Sequence, residues 1–163
     1  MISFSVLSTE EKNGTQIITS GFYDKGYRYN IQGWVYIHIE GKPYERGYQY
    51  GYLASAEITD MIKRWSDYTV GTKFLKLFSI KTPEQGWKIY RSMAMNIFLK
   101  QIPEEYIQEM KGIADGIRKQ NGQIFGRNIE FEDIVTSQFV QEINYIFNNL
   151  RKRFHPIRGL SNG

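Results

Sequence analysis

Residues 33–68 read GWVYIHIEGKPYERGYQYGYLASAEITDMIKRWSDY, and this stretch changes from a strand pattern to a helix pattern across a single turn. In residues 34–40, aliphatic side chains alternate with aromatic or polar ones, which is the two-residue repeat of a β-strand. The Gly-Lys-Pro sequence at residues 41–43 ends this repeat, and proline is favoured in the first turn of a helix. The stretch therefore predicts a strand that is followed directly by a helix over residues 43–68.

One stripe of residues runs along the predicted helix at spacings of three and four. The stripe consists of Gly47, Gly51, Ala54, Ile58, Met61, Trp65 and Tyr68. Glycine inside a helix costs about 1 kcal/mol relative to alanine, so two glycines four residues apart require a compensating gain. We interpret Gly47 and Gly51 as a site where another backbone approaches closely, through tight packing of the helix on the sheet. A glycine-lined ligand surface is the alternative.

Short motifs in this stretch are similar to those of a known enzyme family. The motif residues are Gly41, Pro43, Tyr44, Glu45, Arg46, Gly47, Gln49, Gly51, Leu53, Glu57 and Ile58. They resemble the opening segment of the isopenicillin-N acyltransferase-like family of N-terminal-nucleophile (Ntn) hydrolases, which is related to the phospholipase B-like proteins. Residues 101–116 and 133–142 resemble two further segments of that family. The order and spacing of the three segments carry the resemblance, because each segment is short.

The rest of the chain continues with helical patterns. Runs of β-prone residues occur at residues 16–19, 27–31 and 34–39, each near a glycine, so short antiparallel strands with tight turns are expected. Helices are predicted over residues 43–68, from Pro83 to about residue 101, from Pro103 to about residue 120, and over residues 132–154. Residues 70–80 have no clear period and predict a loop or a short helix. The fold class is therefore α+β, with N-terminal antiparallel strands followed by about four helices.

Two of these helices have a predicted buried side. For the helix from Pro83 these residues are Trp87, Tyr90, Ala94, Ile97 and Phe98, and for the last helix they are Val135, Phe139, Ile143, Ile146 and Leu150. Thr82 is a predicted N-cap for the first of the two, and Asn121-Gly122 a predicted stop for the helix between them.

The overall composition limits the class of protein. A chain of 163 residues with 41% hydrophobic residues can build a core, so we expect residues 1–163 to form a single domain with residues 155–163 as a C-terminal tail. The net charge of +4 is spread along the chain and does not predict a nucleic-acid partner. The chain has no cysteine and only two separated histidines, so we expect neither a metal nor a cofactor. The first residues lack the pattern of a signal peptide, which favours a cytoplasmic location.

The resemblance implies a mode of biogenesis and an activity. Members of the family are made as precursors that cut themselves immediately before a cysteine, which becomes the first residue of a larger second (β) chain. This chain would then be the N-terminal (α) subunit, with Gly163 supplying the scissile carbonyl and the catalytic residues on the second chain. The two chains together would form an αββα sandwich, with a higher oligomer left open. The implied reaction splits an amide or ester of an acyl-containing small molecule or lipid through a thioester, with water or an amine as acceptor.

A few residues of this chain are candidates for a structural motif or for the lining of a pocket, namely Arg46, Gly47, Gln49, Gly51 and Glu142. Arg46 is predicted to tie the start of its helix to a neighbouring carboxylate, with Glu142 as a candidate partner. Asp115 belongs to the second segment of the resemblance and could equally be a solvated position of its helix, so its role stays open. His38 lies in a strand among aromatic residues and is interpreted as a packed polar group rather than a base.

A second class of function stays open, namely a non-enzymatic binding module. Arg151, Lys152 and Arg153 end the last predicted helix beside apolar residues. Such a basic cluster can hold an acidic partner or an anionic membrane surface. Cations also suit the C-terminal end of a helix because of its dipole, so the cluster has a purely structural explanation as well.

Overall fold

The computed structural model of the protein describes residues 10–12, 15–31, 33–71 and 79–154. The strands are β1 (Glu10–Lys12), β2 (Thr15–Tyr23), β3 (Gly26–Ile31), β4 (Trp34–His38), β5 (Gln123–Ile124) and β6 (Arg127–Asn128). The α-helices are α1 (Pro43–Leu53), α2 (Ser55–Gly71), α3 (Pro83–Met93), α4 (Glu104–Lys119) and α5 (Phe131–Phe154). A π-helical turn (Ala94–Phe98) and a 3₁₀ turn (Leu99–Gln101) follow α3. The α+β class that the sequence predicts is confirmed.

The N-terminal strands form an antiparallel sheet in the order β1-β2-β3-β4, and β5 and β6 form a separate hairpin. The three strands that the sequence predicts are present as β2, β3 and β4. Strand β1 is not predicted by the sequence, because its Glu-Glu-Lys residues show no apolar alternation. The hairpin is not predicted either, and its two-residue turn places both Phe125 (φ 53°) and Gly126 (φ 73°) in the left-handed region. Phenylalanine rarely takes that conformation, so the usual sequence pattern of such a turn is missing.

The described residues group into two compact units. The first contains the four-stranded sheet, α1, the start of α2, α4 and the β5–β6 hairpin, and it extends to Ile134 at the start of α5. The second contains the remainder of α2, α3 with the two turns that follow it, and the rest of α5. The single domain expected from chain length stays a prediction.

In the first unit, α1 and α4 pack backbone against backbone through glycines. A Cβ atom placed on Gly47 would lie 2.7 Å from the carbonyl carbon of Glu109 in α4. A Cβ atom on Gly51 would lie 2.8 Å from the carbonyl carbon of Ile113, one turn further along. Real Cβ atoms essentially never come within 3.0 Å of such atoms, so neither position has room for a side chain. The predicted close approach is present, but the partner is helix α4 rather than the sheet.

The contact is reciprocal, because α4 presents its own pair of glycines to α1. A Cβ atom on Gly112 would lie 2.7 Å from the backbone nitrogen of Tyr48, and one on Gly116 would lie 2.6 Å from that of Tyr52. Four glycines, two on each helix and four residues apart, therefore form one interface, which we call the glycine contact.

The predicted helix over residues 43–68 is divided in two. Ala54, with φ −112° and ψ 19°, lies between α1 and α2, and helical hydrogen bonds continue on both sides of it. The division is thus a bend rather than a loop. Arg28 of β3 donates from Nη1 to the carbonyl oxygen of Leu53 (2.8 Å) and from both terminal nitrogens to the carboxylate of Glu57. A donor from the sheet thereby satisfies a carbonyl at the bend. The helical periodicity of residues 43–68 does not predict this bend.

Helix α4 ends where the sequence predicts. Asn121 takes a left-handed conformation (φ 59°) and donates its N–H to the carbonyl oxygen of Arg118. The N–H of Gly122 donates to the carbonyl oxygen of Ile117 at 3.0 Å. These two bonds form the Schellman motif, which satisfies carbonyls that the helix itself leaves open.

In the second unit, α3 has the predicted cap and most of the predicted buried side. Thr82 accepts a hydrogen bond from the N–H of Gln85, and Trp87, Tyr90 and Ala94 are buried. Ile97, however, is 39% exposed, so its predicted burial is wrong. It lies in the π-helical turn, which holds more residues per turn than an α-helix and rotates the following side chains out of the α-helical register.

Helix α5 contributes a mostly apolar face to the same unit. Tyr90 donates a hydrogen bond to Asn144, and its ring packs edge-on against Phe147 with 5.3 Å between ring centroids. The rings of Phe98 and Phe139 stack at 4.4 Å. The predicted last helix is confirmed, although Phe139, Ile146 and Leu150 of its predicted buried side are only half-buried.

Three expectations fall partly or wholly outside the described residues. They concern residues 72–78 of the 70–80 segment, the tail over residues 155–163, and the side chains of residues 151–153. Within the described part of the chain, every helix is too short or too polar to cross a lipid bilayer.

A test of the glycine contact is the substitution Gly47→Ala. We expect it to lower the free energy of unfolding by about 2 kcal/mol. The new Cβ atom would meet backbone rather than a movable side chain, so the overpacking cost should lie near the upper end of about 1–3 kcal/mol, and helix propensity recovers about 1 kcal/mol of it. Urea unfolding measures the change. Ala56→Gly, at an exposed position of α2, serves as the control and should lose only about 1 kcal/mol from propensity. A Gly47→Ala protein as stable as the parent would contradict the packing described.

Candidate functional site

The residues that the sequence analysis selected on α1 have structural partners. Gln49 is 1% exposed, and its amide is fully engaged by the backbone of Glu40, just after β4. Its Oε1 accepts from the Glu40 N–H at 2.9 Å and its Nε2 donates to the Glu40 carbonyl oxygen at 2.9 Å. Gly26 of β3 leaves space for this side chain, because a Cβ atom there would lie 3.0 Å from Oε1 of Gln49. Gln49 therefore attaches the end of the sheet to the helix.

Arg46 pairs with a carboxylate, as predicted, but not with the suggested one. Its Nη2 donates to Oε2 of Glu109 on α4 at 3.0 Å, and its Nη1 donates to the carbonyl oxygen of Gly41 at 3.0 Å. Glu142, the partner suggested by the sequence, is an exposed residue of α5 in the second unit. Because Arg46 and Glu109 are both about one-third exposed, their ion pair contributes at most about 1 kcal/mol. It acts mainly to orient the two helices.

Tyr44 and Asp115 form a second link between α1 and α4. The Tyr44 hydroxyl donates to Oδ2 of Asp115 at 2.7 Å, and Arg118 pairs with the other oxygen of that carboxylate. The hydrogen bond to Asp115, together with burial and the charge of the carboxylate, raises the pKa of Tyr44 to about 12. Asp115 is thus a paired side chain that is about one-third exposed. Its partner lies 71 residues away in the sequence, and no local pattern indicates the pair.

One cavity, which we call the charged groove, lies beside this link. It has a volume of about 390 Å³ and is lined by Tyr44, Lys111, Ala114, Asp115, Arg118, Glu130, Phe131 and Glu132. The Lys111 ammonium lies 6.0 Å from the centroid of the Phe131 ring. Two cations and three carboxylates line the groove, and its described lining includes neither a serine or threonine nor a histidine. The groove can therefore bind a polar group.

A second cavity, which we call the tyrosine pocket, lies on the side of α1 that faces the sheet. Its volume is about 460 Å³, and its lining is Tyr23, Asp24, Tyr44, Glu45, Tyr48 and Gln49. The rings of Tyr23 and Tyr48 stack with 4.9 Å between centroids, and those of Tyr44 and Tyr48 meet at an angle of 48°. Burial, followed by a hydrogen bond with Tyr23, raises the pKa of Tyr48 to about 12. The sequence pattern does not predict this pocket, although the clustering of tyrosines in residues 23–52 marks its location.

The start of α5 is held by a buried ion pair. Asp133, with which the third segment of the resemblance begins, is fully buried and receives hydrogen bonds from both terminal nitrogens of Arg127 at 2.7 and 2.8 Å. It also accepts from the backbone N–H of Glu130 at 2.8 Å. The carboxylate raises the pKa of Arg127 further. These contacts cap the helix and attach the β5–β6 hairpin to it, so the role of Asp133 is structural.

Three further expectations concern His38, a metal site and Gly163. His38 stacks on Tyr27 with 4.8 Å between ring centroids, in agreement with its interpretation as a packed polar group. Among the described residues, no three histidine or acidic side chains are grouped so that they could hold a metal ion. Gly163 lies outside the described residues, so its role as the scissile residue stays a prediction.

Comparisons with known proteins give one distant similarity. No family model matches the chain, and no solved structure matches it. An uncharacterized protein of Archaeoglobus fulgidus is 28% identical over 122 residues, an alignment that covers 68% of this chain and 17% of that protein. The chain thus spans less than one-fifth of the length of this relative.

The first prediction from the site concerns Gln49. The substitution Gln49→Glu should lower the free energy of unfolding at pH 7 by about 2 kcal/mol, because a buried carboxylate cannot donate to the Glu40 carbonyl oxygen. Burial would raise the pKa of the new carboxyl above its unfolded value of about 4.3, so the penalty should grow as the pH rises above that value. Chemical denaturation across pH 4 to 8 measures this. Gln138→Glu, on the exposed side of α5, is the control; equal losses in both variants would contradict the role of Gln49.

The second prediction concerns Tyr44 in alkaline solution. A tyrosine whose pKa is raised in the folded state stabilises that state fully below its unfolded pKa near 10 and loses this contribution as the pH rises towards 12. We therefore expect the stability difference between the parent and Tyr44→Phe to shrink between pH 10 and 12. Asp115→Asn removes the acceptor carboxylate, so the stability of this variant should also depend less on pH than that of the parent over the same range. A difference that stays constant over this range would contradict the Tyr44–Asp115 bond.

Proposed function

We propose that this chain is the N-terminal (α) part of a self-processing Ntn hydrolase or acyltransferase, similar to the isopenicillin-N acyltransferase-like and phospholipase B-like enzymes, with the nucleophile on the following chain. The observation that carries the proposal is the difference between the two faces of the four-stranded sheet. Helix α1 covers one face, to which Arg28 and Tyr23 attach it. The other face is exposed at Trp34 and Tyr36 of β4.

The uncovered face is aromatic rather than polar. Strands β3 and β4 place a ladder of rings there, with Tyr29 and Tyr36 stacked at 4.6 Å and Tyr27 and His38 at 4.8 Å. Trp34, on the same face, is 80% exposed. Exposed apolar patches of this kind mark a surface that another element covers. In an αββα sandwich that element is a second sheet, which we assign to the following chain.

The segments that carry the resemblance also meet in the fold. Residues 41–58 and 101–116 are far apart in sequence, yet the glycine contact, the Arg46–Glu109 pair and the Tyr44–Asp115 bond all join one to the other. Such a set of joined motifs favours a scaffold shared by a family over an accidental match. The relative from Archaeoglobus fulgidus, which is much longer than the aligned region, also accommodates the further chain that the proposal needs.

The chemistry follows from the resemblance. A cysteine after Gly163 would attack the Gly163 carbonyl carbon, the peptide C–N bond would break, and a thioester would form in its place. Water would then hydrolyse the thioester, releasing this chain with a C-terminal carboxylate and leaving the cysteine with a free thiol and a free α-amino group. That amine, with an ordinary pKa of about 7.7–8.0, can take the proton of the adjacent thiol in the later reaction with an acyl-containing small molecule or lipid. The catalytic residues would lie on the second chain, and this chain would contribute part of the sandwich.

Intact-mass spectrometry of the full-length gene product tests the proposal. We expect two fragments, the second of which begins with Cys, Ser or Thr directly after Gly163. A variant with alanine in place of that nucleophile is the control and should stay in one piece. A reading frame that stops after Gly163, or a gene product that stays uncut while it is active on acyl substrates, would refute the proposal.

A further inference from the structure

The tyrosine pocket has a pre-formed aromatic wall. Tyr44 and Tyr48 are one helical turn apart on α1, so their rings project from the same side of the helix. Tyr23, at the end of β2, stacks on one face of the Tyr48 ring and also contacts Tyr52, with 4.7 Å between the centroids of the Tyr23 and Tyr52 rings, so the ring surface left for a ligand belongs mainly to Tyr44 and Tyr48. The buried side chain of Gln49 closes the base, and its amide is already satisfied by Glu40. The pocket therefore offers ring surface rather than unsatisfied amides.

The charge around the pocket is negative. Asp24 and Glu45 line it, and its described lining includes neither lysine nor arginine. Glu45 accepts one hydrogen bond from the Lys42 N–H at 2.8 Å. Asp24 lies at the exposed tip of the β2–β3 turn with φ 54°, and within the described part of the chain its carboxylate has neither a hydrogen bond nor an ion pair. An anionic ligand would be repelled, whereas a cation would meet two carboxylates and the faces of aromatic rings.

We infer that the tyrosine pocket binds the alkylammonium group of an organic cation, with trimethylammonium as the best match. Cations are attracted to the faces of tyrosine rings, and methylated ammonium ions bind in aromatic cages of this composition. The methyl groups pack on the rings while the carboxylates of Asp24 and Glu45 balance the charge. A volume of about 460 Å³ accommodates such a group with the chain attached to it.

Other cations fit the pocket less well. A divalent metal ion prefers several oxygen ligands close together, and no such group of three acidic or histidine side chains occurs among the described residues. A primary ammonium is strongly hydrated and gains little from an aromatic wall. The raised pKa values of Tyr44 and Tyr48 keep both phenols neutral at physiological pH, so the rings act through their faces and not as phenolate ions. All lining residues belong to this chain, whereas the proposed catalytic residues lie on the following chain. The inference therefore does not depend on the proposed catalysis.

Calorimetric titration of the full-length gene product with choline tests the inference. We expect saturable binding in the millimolar range or tighter. The neutral carbon isostere of choline, in which a tert-butyl group replaces the trimethylammonium group, should bind at least about tenfold more weakly, because it has the same shape without the charge. Vesicles of phosphatidylcholine, compared with vesicles of phosphatidylglycerol, distinguish the two sources of the group. Selective binding to phosphatidylcholine indicates a lipid head group, and binding of choline alone indicates a free cation.

Two variants locate the binding. Asp24→Asn should weaken choline binding by about fivefold, the loss expected for one nearby charge in water, and asparagine tolerates the left-handed conformation of this turn. Asp67→Asn, at an exposed position of α2, makes the same change in net charge and should leave the affinity unchanged. Tyr48→Leu should abolish binding, whereas Tyr48→Phe keeps the ring and should retain most of it. No saturable binding of choline, equal affinity for the isostere, or equal effects of the two aspartate variants would each overturn the inference.

Discussion

The backbone contact between α1 and α4 determines the arrangement of the first unit. Four glycines in helix interiors cost about 1 kcal/mol each in helix propensity, so the packing of the two helices must recover about 4 kcal/mol in total. It does so because the missing side chains let two backbones touch along two full turns. The contact also sets the register of the helices, since a shift by one residue would bring side chains into the space that the glycines leave. Arg46 therefore faces Glu109, and Tyr44 faces Asp115, because Gly47 and Gly51 lie where they do.

Helix α1 connects this pair of helices to the sheet through polar side chains that reach backbone atoms. Gln49 binds the Glu40 backbone just after β4, and one turn further along the helix Arg28 of β3 donates to the Leu53 carbonyl oxygen. Both bonds lie on one face of the sheet. The opposite face carries the ladder of aromatic rings. The division of the sheet into an occupied and an open face is what links this fold to the proposed sandwich.

The sequence predicts what depends on local pattern and misses what depends on distant partners. The strands, the Thr82 cap and the end of α4 at Asn121 follow from periodicity and capping residues that are adjacent in sequence. The partner of the Gly47 and Gly51 pair could not be identified, because Gly112 and Gly116 are more than 60 residues away and carry no side chain that marks them. The bend at Ala54 depends on a donor from β3, and the π-helical turn rotates Ile97 outward without a warning in the sequence. Of the candidate site, Arg46 and Gln49 were selected because they flank the glycines of α1. The partner of Asp115 lies 71 residues away and could not be identified, and Asp24 belongs to no motif.

Tyr44 joins the two cavities of the first unit. Its ring lines the tyrosine pocket, and its hydroxyl is held by Asp115 in the charged groove. The Asp115 carboxylate is shared with Arg118, so a ligand that moves the Tyr44 ring would also change the partners of Arg118. Such a movement is limited, because Tyr44 lies on the first turn of a helix that the glycines hold against α4. The structure therefore favours ligands that fit between the Tyr44 and Tyr48 rings at their existing angle over ligands that require the angle to open. A compact, roughly spherical cation meets this condition.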